Sequence, residues 1–239
     1  MTLATSTRVA RQLRHDPRTV ALLVFLPAVL MTLLRYVFDS EQRFNATAPA
    51  LLGIFPFLLM FMVTSITTLR ERSSGTLERL MTTPTAKLDL LVGYALAFAI
   101  VSVLSVGAAV LVSVWLGLDV VGSFAALLGV TLLDALLGVA LGLFASAFAR
   151  TEFQAIQLMP VFVLPQILLC GLFHPRGEMA SLLRWISDVL PLSYAVDALQ
   201  RVAASTELTG EYYRDVAVVA AFVVAALVGG AATLRRRTD

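Results

Sequence analysis

Six long apolar runs limit what this chain can fold into. They occupy residues 19–36, 48–69, 90–118, 120–148, 153–173 and 216–234 of the 239-residue sequence. A hydrocarbon layer about 30 Å thick requires about 20 apolar residues in a helix, and each run approaches or exceeds that length. Lipid cannot hydrogen-bond the backbone, so only helices or closed barrels cross it, and no run alternates like a barrel strand. We therefore expect an all-α membrane protein with six transmembrane helices.

The basic residues are divided unevenly between the two sides of these predicted spans. If the N-terminus is cytoplasmic, twelve of the 18 Lys and Arg residues lie on the cytoplasmic side. Four of the other six, Arg176, Arg184, Arg201 and Arg214, belong to the last external segment and its border. Cytoplasmic loops of membrane proteins carry the excess of Lys and Arg. The distribution predicts a multi-pass protein of the cell membrane with both termini in the cytoplasm.

A charged insert, residues 70–84, separates the second and third apolar runs in a chain that is only 14% charged. Residues 73–75 are Ser, Ser and Gly, which favour the start of a helix, and Leu77 and Leu80 share one face. Pro84 disfavours helix at the residue before it, so the helix would span about two turns. A helix this short is marginal alone in water. We expect it to dock in a groove of a soluble partner.

Two further segments outside the spans have helical patterns. In residues 1–18, Arg residues recur at spacings of three and four, which predicts a basic amphipathic helix at the membrane surface. A flexible basic terminus that only sets topology is the alternative. Residues 174–215 contain two stretches of helical periodicity interrupted by Pro191, which predicts two short re-entrant helices on the external face. A structured external loop is the alternative.

The fourth predicted span carries an acid near its centre. Asp134 is followed by Gly138, Gly142 and Ser146 at steps of four, which forms a stripe of small residues on one helix face. Such a stripe lets another helix approach closely. A central carboxyl group costs at least about 2.5 kcal/mol to insert, so Asp134 should face protein or a water-filled cavity. Both a hydrogen-bonded acid in a helix interface and a role in the translocation path remain open.

The fifth predicted span combines glutamines with prolines. Gln154, Gln157 and Gln166 accompany Pro160 and Pro165. Each proline leaves a backbone carbonyl that must be satisfied elsewhere. The three glutamines are candidates for the translocation path together with Asp134, and they can equally fasten one helix to another.

Composition and spacing argue against several other classes of function. The net charge is +2, and its basic residues are explained by their role in setting membrane topology. The sequence has no basic face interleaved with aromatic residues that would support nucleic-acid binding. His15 and His174 fall on opposite sides of the predicted membrane, which argues against a metal site. Cys170 is the only cysteine, so the chain cannot form an internal disulfide. No G-x-x-x-x-G-K-[ST] phosphate loop occurs, so any ATP that drives this protein binds another chain.

The insert ERSSGTLERLMTTP resembles the ER-x-x-GTLE-x-L-x-x-TP pattern in the membrane subunits of type-2 ABC exporters, such as daunorubicin-resistance permeases. Residues 157–175 and 186–200 are similar to the fifth span and external helices of that family. The resemblance covers essentially the whole chain, as a single domain over residues 1–239. It implies that a coupling helix within residues 70–87 contacts the ATPase. The residues assigned to this contact are Arg70, Glu71, Arg72, Gly75, Thr76, Leu77, Glu78, Arg79, Leu80 and Pro84.

The resemblance further implies a non-catalytic permease that pairs with a second copy of itself and with two ATPase subunits. ATP and magnesium would bind those subunits, and an amphipathic drug, lipid or glycan would move outward. A proton-coupled secondary transporter is the alternative. It would require several paired ionisable groups within the membrane, whereas Asp134 is the only acid in the core of a predicted span. An intramembrane enzyme would require a histidine or lysine beside a serine nucleophile, or a cluster of aspartates, within the membrane, and the sequence has neither.

Overall fold

The computed structural model describes residues 2–73, 87–149 and 151–233. Within these ranges the chain forms nine α-helices and one short 3₁₀ helix, Arg176–Glu178. The α-helices are α1 (Thr2–His15), α2 (Pro17–Phe38), α3 (Glu41–Ser73), α4 (Lys87–Trp115), α5 (Phe124–Ala145), α6 (Glu152–Leu169), α7 (Ser181–Val189), α8 (Pro191–Ala204) and α9 (Gly210–Thr233).

Six of these helices, namely α2 to α6 and α9, are long and apolar enough to cross a membrane. The prediction of an all-α membrane protein with six spans is therefore confirmed. The two short helices expected in the external segment also form, as α7 and α8. Helix α9 begins at Gly210, so the connection ends earlier than the predicted boundary at residue 215.

Two predicted boundaries were wrong. Helix α3 continues at least four residues beyond the predicted end at residue 69, and Ser73, predicted to lie at the start of a new helix, is the last residue of α3 that the structure describes. No helix-breaking residue lies between Leu69 and Ser73, so the backbone ladder continues through the charged residues. Residues 74–86, which hold the rest of the predicted coupling helix, lie outside the described residues.

The fourth span is shorter than predicted: α5 has 22 residues, whereas the apolar run 120–148 has about 29. The helix begins at Phe124 and is capped by Ser123, whose side-chain hydroxyl accepts a hydrogen bond from the backbone N–H of Ala126. The residues just before this helix form a turn that bonds to another helix instead of extending the span. The N–H groups of Val121 and Gly122 donate to the carbonyls of Ala203 and Val202 at 3.1 and 3.0 Å, which ties this turn to the end of α8.

Helix α3 is the most buried of the six candidate spans and packs most extensively against α5. A Cβ atom added to Gly138 would lie 2.3 Å from the carbonyl oxygen of Phe57. One added to Gly142 would lie 2.5 Å from the carbonyl oxygen of Phe61. The predicted small-residue stripe therefore forms the closest part of the α3–α5 interface. Only glycine allows the two backbones to approach this closely.

The remaining elements surround this pair. Helix α2 packs along α4, where the Ser105 hydroxyl donates to the Leu23 carbonyl at 2.6 Å. Helix α9 packs on α5 and α8, and α6 contacts α3. The α1 helix lies against α4, with Val9 only 1% exposed. It is thus docked on the bundle through its apolar side.

We predict that Gly138→Ala destabilises the fold, because the added methyl group must push two backbones apart. Overpacking of this kind costs about 1–3 kcal/mol. Gly129→Ala on the same helix is the matched control, since no atom lies within 4 Å of its added Cβ. This control should be neutral or stabilise the helix by about 0.5–1 kcal/mol.

A thiol-reactive fluorophore can follow thermal unfolding in both variants. Cys170 is the only cysteine, and its side chain is buried in the folded protein. Because a thiol must be accessible to react, the fluorophore labels it only once the protein unfolds. Equal unfolding temperatures for the two alanine variants would contradict the proposed close packing.

Candidate coupling site

The last turn of α3 carries three charged residues in succession, and each is bonded to a different helix. Arg70 reaches the first turn of α6, where its Nε and Nη2 atoms donate to the two carboxylate oxygens of Glu152 at 2.7 and 3.0 Å. The paired geometry fixes the direction of both side chains. Because both are well exposed, the ion pair contributes only about 0–1 kcal/mol, and its main effect is to orient α6 relative to α3.

Glu71 points the other way, into the protein. Its carboxylate accepts a hydrogen bond of 2.9 Å from Nη2 of Arg8 on α1. The same nitrogen lies 2.8 Å from the hydroxyl oxygen of Tyr94 on α4, and the guanidinium carbon is 5.9 Å from the centre of the tyrosine ring. The Glu71 side chain is only 9% exposed, so its ion pair with Arg8 lies largely out of water, and removing Arg8 would weaken the compensation of a buried charge. This cluster joins α1, α3 and α4.

Arg72 binds the end of α5. Its Nη1 atom donates to the carbonyl oxygen of Ser146 at 2.9 Å. Ser146 is the C-cap residue of α5, and a helix C-terminus presents unsatisfied carbonyls with partial negative charge. A guanidinium at this position satisfies one of them. Together, Arg70, Glu71 and Arg72 fasten the end of α3 to α6, α1 and α5.

This geometry bears on the residues assigned to the ATPase contact. Among them, the structure describes Arg70, Glu71 and Arg72, and each has a partner within the chain. Gly75, Thr76, Leu77, Glu78, Arg79, Leu80 and Pro84 lie outside the described residues. The contact with an ATPase therefore stays a prediction for all ten. The burial of Glu71 indicates that it positions the end of α3.

The candidates for the translocation path do not form one cluster. Asp134 is fully buried where α5 meets α3 and α8, close to Gly53 and Leu199. Neither carboxyl oxygen has a hydrogen-bond partner among the described residues. The acid therefore faces protein, but without the hydrogen bond that the interface hypothesis expected. Its role in translocation stays a prediction.

The three glutamines of α6 have two different environments. Gln166 is buried and donates to the Phe162 carbonyl at 2.9 Å, and its side-chain oxygen lies 3.4 Å from the backbone nitrogen of Leu192 on α8. It therefore lies at the contact between α6 and α8. Gln154 and Gln157 are exposed and line a cavity of about 350 Å³ together with Phe148. Their part in a translocation path also stays a prediction.

Arg176 forms a polar cluster, in the segment between α6 and α9, that sequence reasoning missed. Its guanidinium donates to Asp188 at 2.6 Å and to Asp197, and it lies 5.1 Å from the centre of the Tyr194 ring. Burial raises the pKa of Asp197 above its usual value, and the adjacent guanidinium opposes that rise. The cluster joins the 3₁₀ helix to α7 and α8. The charged residues on the two amphipathic stretches of this segment were the available sequence signal.

Arg8, Tyr94 and Glu152 were also missed as parts of the coupling site. Their partners lie more than sixty residues away in sequence, so no local pattern reveals them. No group of three or more His, Cys, Asp or Glu residues that could hold a metal occurs in the described part of the chain.

The fold defines a multi-pass α-helical membrane protein in which the charged end of one span, α3, is fastened to α1, α5 and α6. The ABC-2 type transporter family matches residues 2–203. The chain belongs to this family, as the resemblance in the insert predicted.

Curated proteins that are similar to this chain are named as ABC transporters or as permeases. The probable multidrug ABC transporter permease YbhS of Escherichia coli K12 is 29% identical over 154 residues, which cover 64% of this chain and 41% of that protein. The linearmycin resistance permease LnrN of Bacillus subtilis 168 is 24% identical over 196 residues, or 82% and 51% of the two chains. ABC transporter G family member 20 of Dictyostelium discoideum is 23% identical over 190 residues, or 79% and 26%. The aligned part thus spans about a quarter to half of these relatives.

We predict that Arg8→Ala releases α1 from the bundle. Val9→Cys provides the measurement, because this buried position should react with a maleimide only when α1 detaches. The charged hydrogen bonds of Arg8 are worth about 1.5–3 kcal/mol, so their loss should raise the labelling rate at position 9 by about tenfold or more.

Arg11→Ala is the matched control, because Arg11 lies on the exposed side of the same helix. The buried Cys170 contributes little background to the labelling. Equal labelling rates in the Arg8→Ala and Arg11→Ala proteins would show that the Arg8 cluster does not hold α1.

Proposed function

We propose that this chain is the membrane-spanning permease subunit of an ATP-driven exporter, and that a separate ABC subunit hydrolyses ATP. The structural observation that carries this proposal is the three-way fastening of the α3 end to α1, α5 and α6. A loop that only connects two spans does not need these contacts at the end of the preceding helix. A loop that transmits force to the spans needs the end of that helix to be bonded to its neighbours.

Helix α3 is well placed to transmit a displacement. Its 33 residues correspond to a rod about 50 Å long, which passes through the centre of the bundle and ends where residues 74–86 begin. Movement at Ser73 would act on α6 through Arg70, on α1 through Glu71 and on α5 through Arg72. The energy comes from contacts that the ATPase makes better in one nucleotide state than in another.

The expected partners follow from this arrangement. Two ATPase subunits carrying ATP and magnesium would grip residues 74–86, with both termini of this chain on the same cytoplasmic side. The chain would take no part in the hydrolysis of ATP. Twelve of the 18 basic residues support this orientation in the cell membrane.

The cargo proposed is an amphipathic drug, lipid or glycan that moves outward. The names of two relatives, a probable multidrug permease and a linearmycin resistance permease, support this class. Asp134 is fully buried between helices, so it has no surface open to cargo in this packing. A path for cargo would therefore form between copies of the chain or after a change in helix packing.

The uncovered face of α6 supports a second copy of the chain as partner. Gln157, Val161 and Leu164 are exposed at spacings of four and three, and Pro160 lies beside them. Pro160 and Pro165 remove the donors that would bond the carbonyls of Ile156 and Val161, which lie on the same exposed face. In lipid an unsatisfied carbonyl costs several kcal/mol. A facing helix with polar groups would satisfy them.

We expect Glu78→Arg to abolish stimulation of ATP hydrolysis by the permease while membrane insertion stays normal, since a reversed charge opposes docking at the ATPase. The measurement is the hydrolysis rate of the copurified ATPase with and without the permease. Glu207→Arg, a charge reversal at an exposed site between α8 and α9, is the control. Unchanged stimulation with Glu78→Arg would contradict the coupling role of the loop.

For the second copy, we predict that Leu164→Cys in a Cys170→Ala background forms a disulfide-linked dimer on mild oxidation in membranes. The α6 faces of two copies would bring the two thiols together. Leu104→Cys on α4 is the control, because Leu104 is also exposed but lies on another apolar face. Crosslinking that is equal at both sites, or absent from both, would contradict a dimer through α6.

A further inference from the structure

A cleft of about 500 Å³ opens between α1, α2 and α3, at the end of the bundle where α3 leads into residues 74–86. Its walls are mainly apolar. Leu22, Leu23 and Leu26 form the α2 side, and Leu59 and Met62 belong to the α3 side. Leu23 and Leu59 are buried, whereas Leu22 is 63% exposed at the open edge. The cleft is therefore a groove that is continuous with the lipid-facing surface.

The mouth of the cleft is polar and carries charges of both signs. It is lined by Asp16 and Thr19 at the start of α2 and by Thr67, Arg70 and Glu71 near the end of α3, where Glu71 is already paired with Arg8. From Asp16 to Leu26 the chain advances ten residues, which corresponds to about 15 Å along the helix. The groove thus has a charged opening and an apolar depth suited to most of one acyl chain.

Asp16 lies outside the spans and is ionised at neutral pH. Hydrogen bonds from the Thr19 hydroxyl and the Thr19 backbone N–H lower the pKa of its carboxyl, with a smaller contribution from the charges of Arg18 and Arg70. Arg70 is paired with Glu152 but remains 66% exposed at the side chain, so its other face is open to a second anion. A carboxylate and a guanidinium therefore flank the same opening.

We propose that this cleft binds a phospholipid with an amine-bearing headgroup, such as phosphatidylethanolamine, from the leaflet beside α1. One acyl chain would lie along the leucines of α2 and α3. The phosphate would meet Arg70, and the ammonium group would meet Asp16. Both charges of the headgroup then have a partner, and the apolar chain remains out of water.

The charge pattern decides against other occupants. A free phosphate could bind Arg70 but would make no contact with the apolar walls of the cleft. An anionic lipid without an amine could bring its phosphate to Arg70 but would leave the Asp16 carboxylate without a cationic partner. The site does not depend on an ATPase partner, so its test is independent of the exporter proposal.

Retained lipid can be measured by native mass spectrometry after purification from nanodiscs of phosphatidylcholine that contain equal amounts of phosphatidylethanolamine and phosphatidylglycerol. The wild-type chain should retain phosphatidylethanolamine in preference to phosphatidylglycerol. Asp16→Asn should lower this preference about three- to fivefold, as expected for an exposed ion pair. Asparagine also caps a helix N-terminus well, so the fold is preserved.

Asp39→Asn is the matched control, because it removes an acid at the opposite end of α2 and keeps a residue tolerant of positive φ. It should leave the preference unchanged. Leu26→Trp should fill the cleft and abolish lipid retention whatever the headgroup, whereas Leu104→Trp on the exposed face of α4 should not.

An equal preference in the wild-type and Asp16→Asn proteins would overturn the headgroup assignment. Normal lipid retention in the Leu26→Trp protein would overturn the cleft as the site. If rhodamine 6G binds the wild-type chain and Leu26→Trp blocks that binding while lipid retention persists, the cleft belongs to cargo and the proposal fails.

Discussion

The close approach of α3 and α5 is the constraint on which the rest of the fold depends. The carbonyl oxygens of Phe57 and Phe61 sit over Gly138 and Gly142, so the two backbones touch over successive turns. Between helices in lipid, such packing replaces the hydrophobic driving force available in water. Because α3 also contacts α2, α6 and α8, a change in its position would disturb most of the bundle.

The same interface sets the position of the charged residues at the end of α3. Ser146 follows Gly142 by four residues on α5, so its carbonyl continues the face that packs against α3. Arg72 reaches that carbonyl because side chains on a helix point back toward its N-terminus. If the two helices slid by one turn, about 5.4 Å, Arg72 would lose this acceptor. Glycine packing and the charged junction thus specify one register.

Features that depend on local pattern could be predicted from the sequence, and features that depend on distant partners could not. The spans, the small-residue stripe and the two short helices α7 and α8 follow from periodicity and composition. The partners of Glu71, Arg72 and Arg70 lie 63, 74 and 82 residues away, so spacing cannot reveal them. Apolar content also failed to place the start of α5, because Val121 and Gly122 bond to α8 instead of extending a span.

Helices α3 and α6 are constrained in different ways, and this difference bears on how the bundle can move. Helix α3 is held along its middle by backbone contact with α5. Helix α6 is held near its ends, where Arg70 binds Glu152 and Gln166 contacts α8, and on one side of its middle, where Phe162 packs against Phe61; its other side is uncovered and carries two prolines. Proline removes ladder hydrogen bonds and makes a helix easier to bend. Helix α3 also contains two prolines, Pro49 and Pro56, but it is buried and held by α5, so we expect the middle of α6 to bend more easily than the α3–α5 pair.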